Sequence, residues 1–412
     1  MFTVFSTKKV FLTCGKLHIS LRVLSGIHHT ALYDFHVEHG GKMVNFGGCI
    51  LPLQYTDQSI NLSHLHTRRY GSIFDVSHML QTYVHGKDAM SCIESICTAD
   101  IKGMAPGTGS LTVFTNNNGG ILDDLIISKI NNECLYIVSN AATKSQNMEI
   151  IQEAQNRFKS NGKSVDAEFL TSKDQSLIAI QGPKAVTTLD KLIPKTKTLD
   201  QLFFMQTAVL EVAGIKDCRI TRCGYTGEDG VEISVPSCYV QHLTEALLNE
   251  NENIKMAGLG ARDSLRLESG LCLYGADITP QTTPVEAGLT WLIARRRRSE
   301  ADFPGANRIL AQLQKGTKDV THRRIGFTML GEKKAPPART GVQIYNQNKC
   351  VGYVTSGCLS PSLGKNIAMG YIFEKFCNAD ILVQFKIRNS FFEAITARMP
   401  FVKSQYYLKP KK

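Results

Sequence analysis

The segment from Gly119 to Ile127 places two adjacent carboxylates among aliphatic side chains. If it forms a strand, alternation directs Asp124 to one face, and Asp123 to the other. An ionised carboxylate in apolar surroundings is costly unless it is paired, hydrogen-bonded or facing a wet cavity. Two interpretations therefore stay open: a strand-end Asp that accepts backbone N–H bonds, and a carboxylate that faces a ligand pocket and orients or receives a proton.

A second candidate is the segment Arg222–Ser234, whose glycines and Asp-Gly pair predict a tight reversal between two strands. In the second strand, Val231 and Ile233 share one face and Glu232 lies on the other. That other face is ordinarily solvated. If it lines a cavity instead, the two oxygens of Glu232 suit a ligand edge with adjacent N–H donors.

The third candidate is a pair of arginines in the predicted helix 261–268, Arg262 and Arg266. Because they are four residues apart, they share a helix face, and Asp263 can pair with Arg266 at the i+3 spacing. The pattern fits a structural ion-pair network and anion binding equally. Two loop-like segments, 354–363 and 400–407, carry hydroxyl side chains, which is ordinary loop composition.

Several common catalytic motifs are missing from the sequence. It has no GxSxG, P-loop, strand-linked GxGxxG or HExxH motif, which argues against an α/β-hydrolase, an NTPase, a Rossmann enzyme and a zincin. The twelve cysteines are scattered and form no CxxC pair. We therefore expect free thiols and no metal site. These local patterns alone predict a ligand-binding α+β protein.

The chain has 412 residues, enough for two or three domains, and a formal net charge of +11. Twelve bases lie in the two ends and one central run, so the remainder carries −1, and we expect no nucleic-acid-binding face. No twenty-residue apolar stretch free of charge occurs, so we expect no membrane span. The twelve bases are Lys8, Lys9, Lys16, Arg22, Arg295 to Arg298, Lys403, Lys409, Lys411 and Lys412.

The first 33 residues contain no Asp or Glu and mix Ser, Thr, Lys and Arg with aliphatic and aromatic residues. This composition predicts a mitochondrial transit peptide over 1–28, with an acid-poor tail or a poor secretory signal as alternatives. After it, β-rich runs alternate with helical stretches, which favours an α+β fold. We predict strands at 110–115, 121–130, 134–139, 176–181, 218–223 and 230–235, and helices at 87–96, 144–160, 239–249 and 261–268.

The pattern changes near residue 290. Six short strands separated by turn residues predict a small antiparallel barrel or sandwich. They span 324–329, 341–345, 349–356, 366–373, 380–387 and 391–398. We expect the linker at 295–305, where four arginines and then Phe-Pro-Gly interrupt the pattern.

These segments resemble, closely and in order, the aminomethyltransferases called T-proteins of the glycine cleavage system. The resemblance covers nearly all of the chain after the leader. Its longest blocks are 32–44, 74–79, 119–126, 222–234, 261–268, 283–286, 303–306, 356–363 and 368–371. It departs at Cys49, where family members often carry Trp.

The resemblance implies two interwoven α+β lobes over 29–290, the second spanning roughly 77–175, and a C-terminal β-barrel over 291–412, arranged as a cloverleaf around a central cavity. It implies tetrahydrofolate as co-substrate, no metal, lipoylated H-protein as partner and the mitochondrial matrix as location. By position, Asp124 matches the family's catalytic aspartate. Glu232, Arg262 and Tyr406 match substrate-binding positions, and Met79, Asn140 and Tyr225 are further candidates for the pocket wall.

Other functions stay open at this point. One is a folate-binding protein without transferase activity that assists iron-sulfur assembly, although its KGCYxGQ motif is missing. A relative of dimethylglycine or sarcosine dehydrogenase would need a flavin domain, for which the chain has no fingerprint. The run Arg295–Arg298 suggests either a docking surface for acidic H-protein or a solvated linker.

Overall fold

The computed structural model describes residues 28–314, 316–331 and 335–410. Residues 1–27 of the predicted leader lie outside this range. Among the described residues, no helix is long and apolar enough to cross a membrane.

A six-stranded mixed sheet forms the first lobe. One face of the sheet is apolar because aliphatic residues recur at every second position of the strands, and the helices Ala185–Asp190 and Val240–Glu250 pack against that face. In spatial order the strands are Thr207–Val212, Ile215–Thr221, Gly230–Pro236, Gln175–Gln181, Gly71–Asp75 and Ile254–Met256.

A five-stranded sheet forms the second lobe, and the helices Ala89–Glu94 and Lys144–Ser160 cover one of its faces. In spatial order its strands are Thr108–Thr115, Ile121–Asn131, Cys134–Ser139, Leu80–His85 and Asp166–Leu170. The chain leaves the six-stranded sheet after Asp75, builds this sheet, and returns at Gln175. The two lobes are therefore interwoven, as predicted.

The third unit is a closed barrel of six antiparallel strands around an apolar core, which confirms the predicted fold class. Around the barrel the strands are His322–Met329, Lys365–Phe373, Lys349–Ser360, Gln343–Asn346, Leu382–Ile387 and Ser390–Ala397. Closure pairs each strand on both sides, so no strand edge is left open.

The remaining elements connect these units. A small sheet contains His28–His29, Cys49–Tyr55 and Gly41–Phe46. The other α-helices are Tyr33–Glu38, Ile60–Arg69, Leu259–Glu268, Arg295–Glu300 and Ala306–Leu313. The helix Leu259–Glu268 contacts both the helix Ile60–Arg69 and the barrel strand Lys349–Ser360, so it links the first lobe to the barrel.

The linker expected at 295–305 is wrong over its first half, which is the helix Arg295–Glu300. Arg297 is fully buried, pairs with Asp302 and donates to the carbonyl oxygen of Glu94. Arg296 pairs with the buried carboxylate of Glu94. Arg297 is therefore not solvated, because it compensates a carbonyl that the second lobe buries. Arg296 is 31% exposed, and Arg295 and Arg298 are exposed.

Candidate active site

A cavity of about 910 Å³ lies where the two lobes, the barrel and the segment after the barrel meet. All four predicted site residues line it, although they lie far apart in the sequence: Asp124, Glu232, Arg262 and Tyr406. The three weaker candidates, Met79, Asn140 and Tyr225, line it too. Its size falls within the usual range of small-molecule sites.

The adjacent aspartates face different surroundings. Asp123 is fully buried and accepts hydrogen bonds from the Asn140 backbone N–H at 3.1 Å and from Asn147 Nδ2 at 2.6 Å. Asp124 lies on the cavity side, where the Nδ2 of Asn140 donates to its Oδ1 at 2.9 Å. Each of the two interpretations therefore applies to one residue. Hydrogen bonds within the protein satisfy the carboxylate of Asp123, and the carboxylate of Asp124 faces the cavity, where a ligand can contact it.

The electrostatic environment of Asp124 favours its protonated form. Burial raises the pKa of Asp124 to about 7, with the negative charges of Asp123 and Asp277 acting in the same direction. The hydrogen bond from Asn140 opposes this shift. A carboxyl group with a pKa near 7 can both accept and release a proton at neutral pH, which is the property required of a general base.

Glu232 lies on the strand Gly230–Pro236, opposite Ala179 of the neighbouring strand. Ala179 packs in an apolar cluster with Tyr136 and Val138 of the five-stranded sheet, so the second sheet covers this face. The ordinary expectation of a solvated face is therefore wrong, and Glu232 is only 8% exposed. Burial raises the pKa of its carboxyl group, while the charge of Arg262 acts in the opposite direction.

The two arginines of the helix Leu259–Glu268 also differ in their surroundings. Arg266 is bound by Asp263 at 2.8 Å, as the i+3 spacing predicts, and by the buried Asp277 at 2.6 Å. The guanidinium carbon of Arg262 lies 4.6 Å from the centre of the Tyr225 ring. No side-chain hydrogen bond joins Arg262 to another described residue, so its guanidinium donors remain available to a ligand in the cavity.

The segment after the barrel carries Tyr406 across to the first lobe. Its backbone is fixed by the bond from Gln405 N–H to the Gly227 carbonyl at 2.7 Å and by the bond from Phe204 N–H to the Tyr407 carbonyl at 2.8 Å. The Tyr406 ring stacks on Phe204, with 4.2 Å between ring centres. This segment therefore forms one wall of the cavity.

Sequence reasoning missed further polar and aromatic residues that line the cavity, among them His78, Trp291, Arg324 and Arg398. His78 belongs to a block that carried the resemblance, and Trp291 is the only tryptophan in the chain. Neither stands out by spacing, because their common surroundings arise only from tertiary packing. In the described residues, no group of three His, Cys, Asp or Glu is placed to hold a metal ion, and the eleven cysteines there are free.

Two family models match the chain. The GCVT N-terminal domain matches residues 32–297, and the glycine cleavage T-protein C-terminal barrel domain matches residues 322–403. The chain belongs to the glycine cleavage T-protein family.

Similar T-proteins cover almost the whole chain. The mitochondrial aminomethyltransferase of Homo sapiens is 47% identical over 96% of this chain and 94% of its own length. The enzyme of Solanum tuberosum is 47% identical over 92% of this chain and 90% of its own length. The crystal structure of the glycine cleavage system aminomethyltransferase T from Bartonella henselae has a TM-score of 0.84 and 33% identity, and covers 93% of this chain and 100% of that chain.

These likenesses establish the activity of the chain as well as its fold. It is an aminomethyltransferase of the glycine cleavage system. The enzyme function predicted from the sequence is confirmed, and the alternative of a folate-binding protein without transferase activity is set aside.

Proposed function

We propose that this T-protein transfers the one-carbon unit from the aminomethyl-dihydrolipoyl arm of H-protein to tetrahydrofolate in the mitochondrial matrix. The products are 5,10-methylenetetrahydrofolate, ammonia and dihydrolipoyl H-protein. One observation supports this most: three ionisable side chains from three separate elements, Asp124, Glu232 and Arg262, border one cavity. Placing such groups in a largely apolar cavity is costly unless a polar ligand uses them.

The residues of the cavity fit a reduced folate. The pterin edge carries adjacent N–H donors, which match the two acceptor oxygens of Glu232. Aliphatic and aromatic residues supply the surface that a flat ring system needs, among them Leu111, Ile126, Val138 and Tyr225. Arg262 supplies donors for a carboxylate or a ring acceptor beside Glu232.

Asp124 orients the attacking amine and takes up its proton. The folate supplies two nitrogens, and the reaction replaces the C–S and C–N bonds of the aminomethyl group with two C–N bonds to them. The two protons leaving those nitrogens end on the lipoyl sulfur and on ammonia. Because its pKa is about 7, Asp124 can accept a proton from one reacting atom and return it to another.

Tyr406 closes the cavity from the segment after the barrel. Its hydroxyl and ring add a polar and an apolar contact at the same place. The wall that it forms with Phe204 limits the access of water to the reacting carbon.

The test of Asp124 uses two isosteric changes. We expect Asp124→Asn to lower kcat by about 10²- to 10⁴-fold, because it removes the positioned base and keeps the acceptor for Asn140. Asp217→Asn is the matched control, since Asp217 is exposed and has a positive φ of 59° that Asn tolerates. The assay measures methylenetetrahydrofolate formed from aminomethylated H-protein.

Two outcomes would count against the proposal. Equal rates for the wild type and Asp124→Asn would remove the role of Asp124. No folate-dependent product from the wild type would remove tetrahydrofolate as the acceptor. We also propose two domain boundaries, which give a leader over 1–28, a lobe unit over 29–290 and a barrel unit over 291–412. N-terminal sequencing of the mature protein tests the first boundary, and limited proteolysis tests the second.

A further inference from the structure

His78 borders the same cavity as Asp124 and has no assigned role. It lies in the short loop between the strands Gly71–Asp75 and Leu80–His85. Hydrogen bonds on both sides fix this loop: the Ser77 N–H donates to Asp75 Oδ1 at 2.9 Å, and the Met79 N–H donates to the Val76 carbonyl at 3.0 Å. These bonds hold the backbone of the loop on both sides of His78.

A buried network stabilises the loop from behind. His36 Nε2 lies 3.0 Å from Asp75 Oδ2, and the Tyr55 hydroxyl lies 2.9 Å from His36 Nδ1. All three side chains are buried. They hold the carboxylate of Asp75, which accepts the Ser77 N–H, and so hold the residue after it in place.

The His78 imidazole is neutral at physiological pH. Burial and the positive charge of Arg262 lower its pKa to about 4, against the opposing effect of Asp75. A neutral imidazole offers one donor nitrogen and one acceptor nitrogen.

The two ring nitrogens of His78 differ in their surroundings. Nδ1 is buried and has no hydrogen-bond partner among the described residues. Nε2 makes no hydrogen bond to another described residue either, and the ring borders the cavity. A buried N–H without a partner is rarer than a buried acceptor without one. The tautomer with the proton on Nε2 is therefore favoured, and it presents an N–H to the cavity.

We propose that His78 binds the folate of the proposed reaction, with its Nε2–H donating a hydrogen bond to the ring carbonyl oxygen of the pterin. This inference rests on the proposed function. His78, Glu232 and Arg262 all line the same cavity. Glu232 matches the N–H donors of the pterin edge, and the carbonyl next to those donors has two lone pairs, so it can accept from His78 even where Arg262 also donates to it.

The test compares two ligands that differ at this edge of the pterin. Tetrahydrofolate carries the carbonyl oxygen and an N–H on the adjacent ring nitrogen, whereas tetrahydroaminopterin carries an amino group and an adjacent ring nitrogen without a proton, so that part of the discrimination belongs to Glu232 and the remainder to His78. The wild type should bind tetrahydrofolate more tightly, because an N–H facing an amino group leaves a buried donor unpaired. The dissociation constants are measured by calorimetry on the full chain without H-protein, so that binding is separated from transfer.

We expect His78→Leu to weaken tetrahydrofolate binding about tenfold and to reduce the discrimination between the two ligands by the same factor, while the share due to Glu232 remains. His78→Gln should retain both to within about threefold, since its amide nitrogen lies close to the place of Nε2. His242→Leu, an exposed histidine outside the cavity lining, is the control. A general loss of folding would weaken both ligands equally and leave their ratio unchanged.

The inference is overturned if His78→Leu discriminates between the two ligands as well as the wild type does. If the wild type binds neither ligand, the proposed use of folate fails, and this inference fails with it. Those two results differ in the behaviour of the wild type, so the failures are distinguishable.

Discussion

Asp123 and Asp124 show how one peptide unit can separate two roles. Three hydrogen-bond donors of Asn140 and Asn147 reach Asp123, and one of them also bonds Asp124. Burial raises the pKa of Asp123 too, although these hydrogen bonds oppose the shift, and the negative charge of Asp123 raises the pKa of Asp124 further. The structural carboxylate thus tunes its neighbour.

The pH dependence of the transfer rate follows from this coupling. A base with a raised pKa of about 7 is ionised only above that pH, so the rate should rise with pH through about 7 and level off above it. Asp123→Asn removes the neighbouring charge and should therefore lower the pKa of Asp124. The rise of the transfer rate with pH should then occur at lower pH. The measurement is a pH–rate profile of the wild type and of Asp123→Asn under single-turnover conditions. If the rate rises at the same pH in both proteins, the coupling is contradicted.

The sequence predicts the face of the strand on which Asp124 lies. For Glu232 it predicts the face but not whether that face is solvated or buried. Strand alternation correctly separates Asp124 from Asp123, because that effect is local. Whether Glu232 faces water or a cavity depends on a second sheet that covers it, and this sheet comes from other parts of the chain. The solvated interpretation fails for that reason. His78 was missed because its unpartnered nitrogen is a property of packing alone.

The helix Arg295–Glu300 illustrates the same limit at the level of elements. Four consecutive arginines have no amphipathic period, so the sequence predicts a break in the pattern. The helix forms because the second lobe buries the carboxylate and the carbonyl oxygen of Glu94, and both need donors. By contrast, the helix Lys144–Ser160 and the strand Cys134–Ser139 match their predicted bounds, since their periodicity is local.

We expect Arg297→Ala to destabilise the protein by about 3–5 kcal/mol, because it leaves buried acceptors unpaired and removes the partner of Asp302. Arg295→Ala, at an exposed position of the same helix, should change stability by less than about 0.5 kcal/mol. Urea unfolding of both variants measures the difference. Equal stabilities would contradict the structural role of Arg297.

A second element-level prediction concerns Glu268 at the end of the helix Leu259–Glu268. Its carboxylate bonds His64, Arg68 and Ser360, and so joins the first lobe to the barrel. Burial alone would raise its pKa, but these partners outweigh it and lower the pKa to about 2. A depressed pKa stabilises the fold above the ordinary value of about 4.5, and that stabilisation is lost as the pH falls towards 2.

Glu268→Gln should therefore lower the free energy of unfolding by about 2–4 kcal/mol at pH 7 and by less at pH 3. Thermal unfolding at the two pH values is the measurement. Glu245→Gln, an exposed acid on the helix Val240–Glu250, is the control. If Glu268→Gln lowers the free energy of unfolding by the same amount at pH 7 and at pH 3, the ionised carboxylate is not what stabilises the contact between the first lobe and the barrel.

At the scale of the whole molecule, the cavity depends on the contact between the segment after the barrel and the first lobe. A chain that stops at Val402 should raise the KM for tetrahydrofolate at least about tenfold, because the Tyr406 wall and its stack on Phe204 are lost. Tyr406→Phe keeps the stack and should raise the KM less. Steady-state kinetics separate the two, and equal values would assign the whole effect to the hydroxyl.

The late position of Tyr406 has a consequence for biosynthesis. Asp124, Glu232 and Arg262 leave the ribosome long before the residue that completes the wall. Until translation has passed that point, the nascent polypeptide has an unfinished pocket, which should hold reduced folate more weakly than the complete chain does.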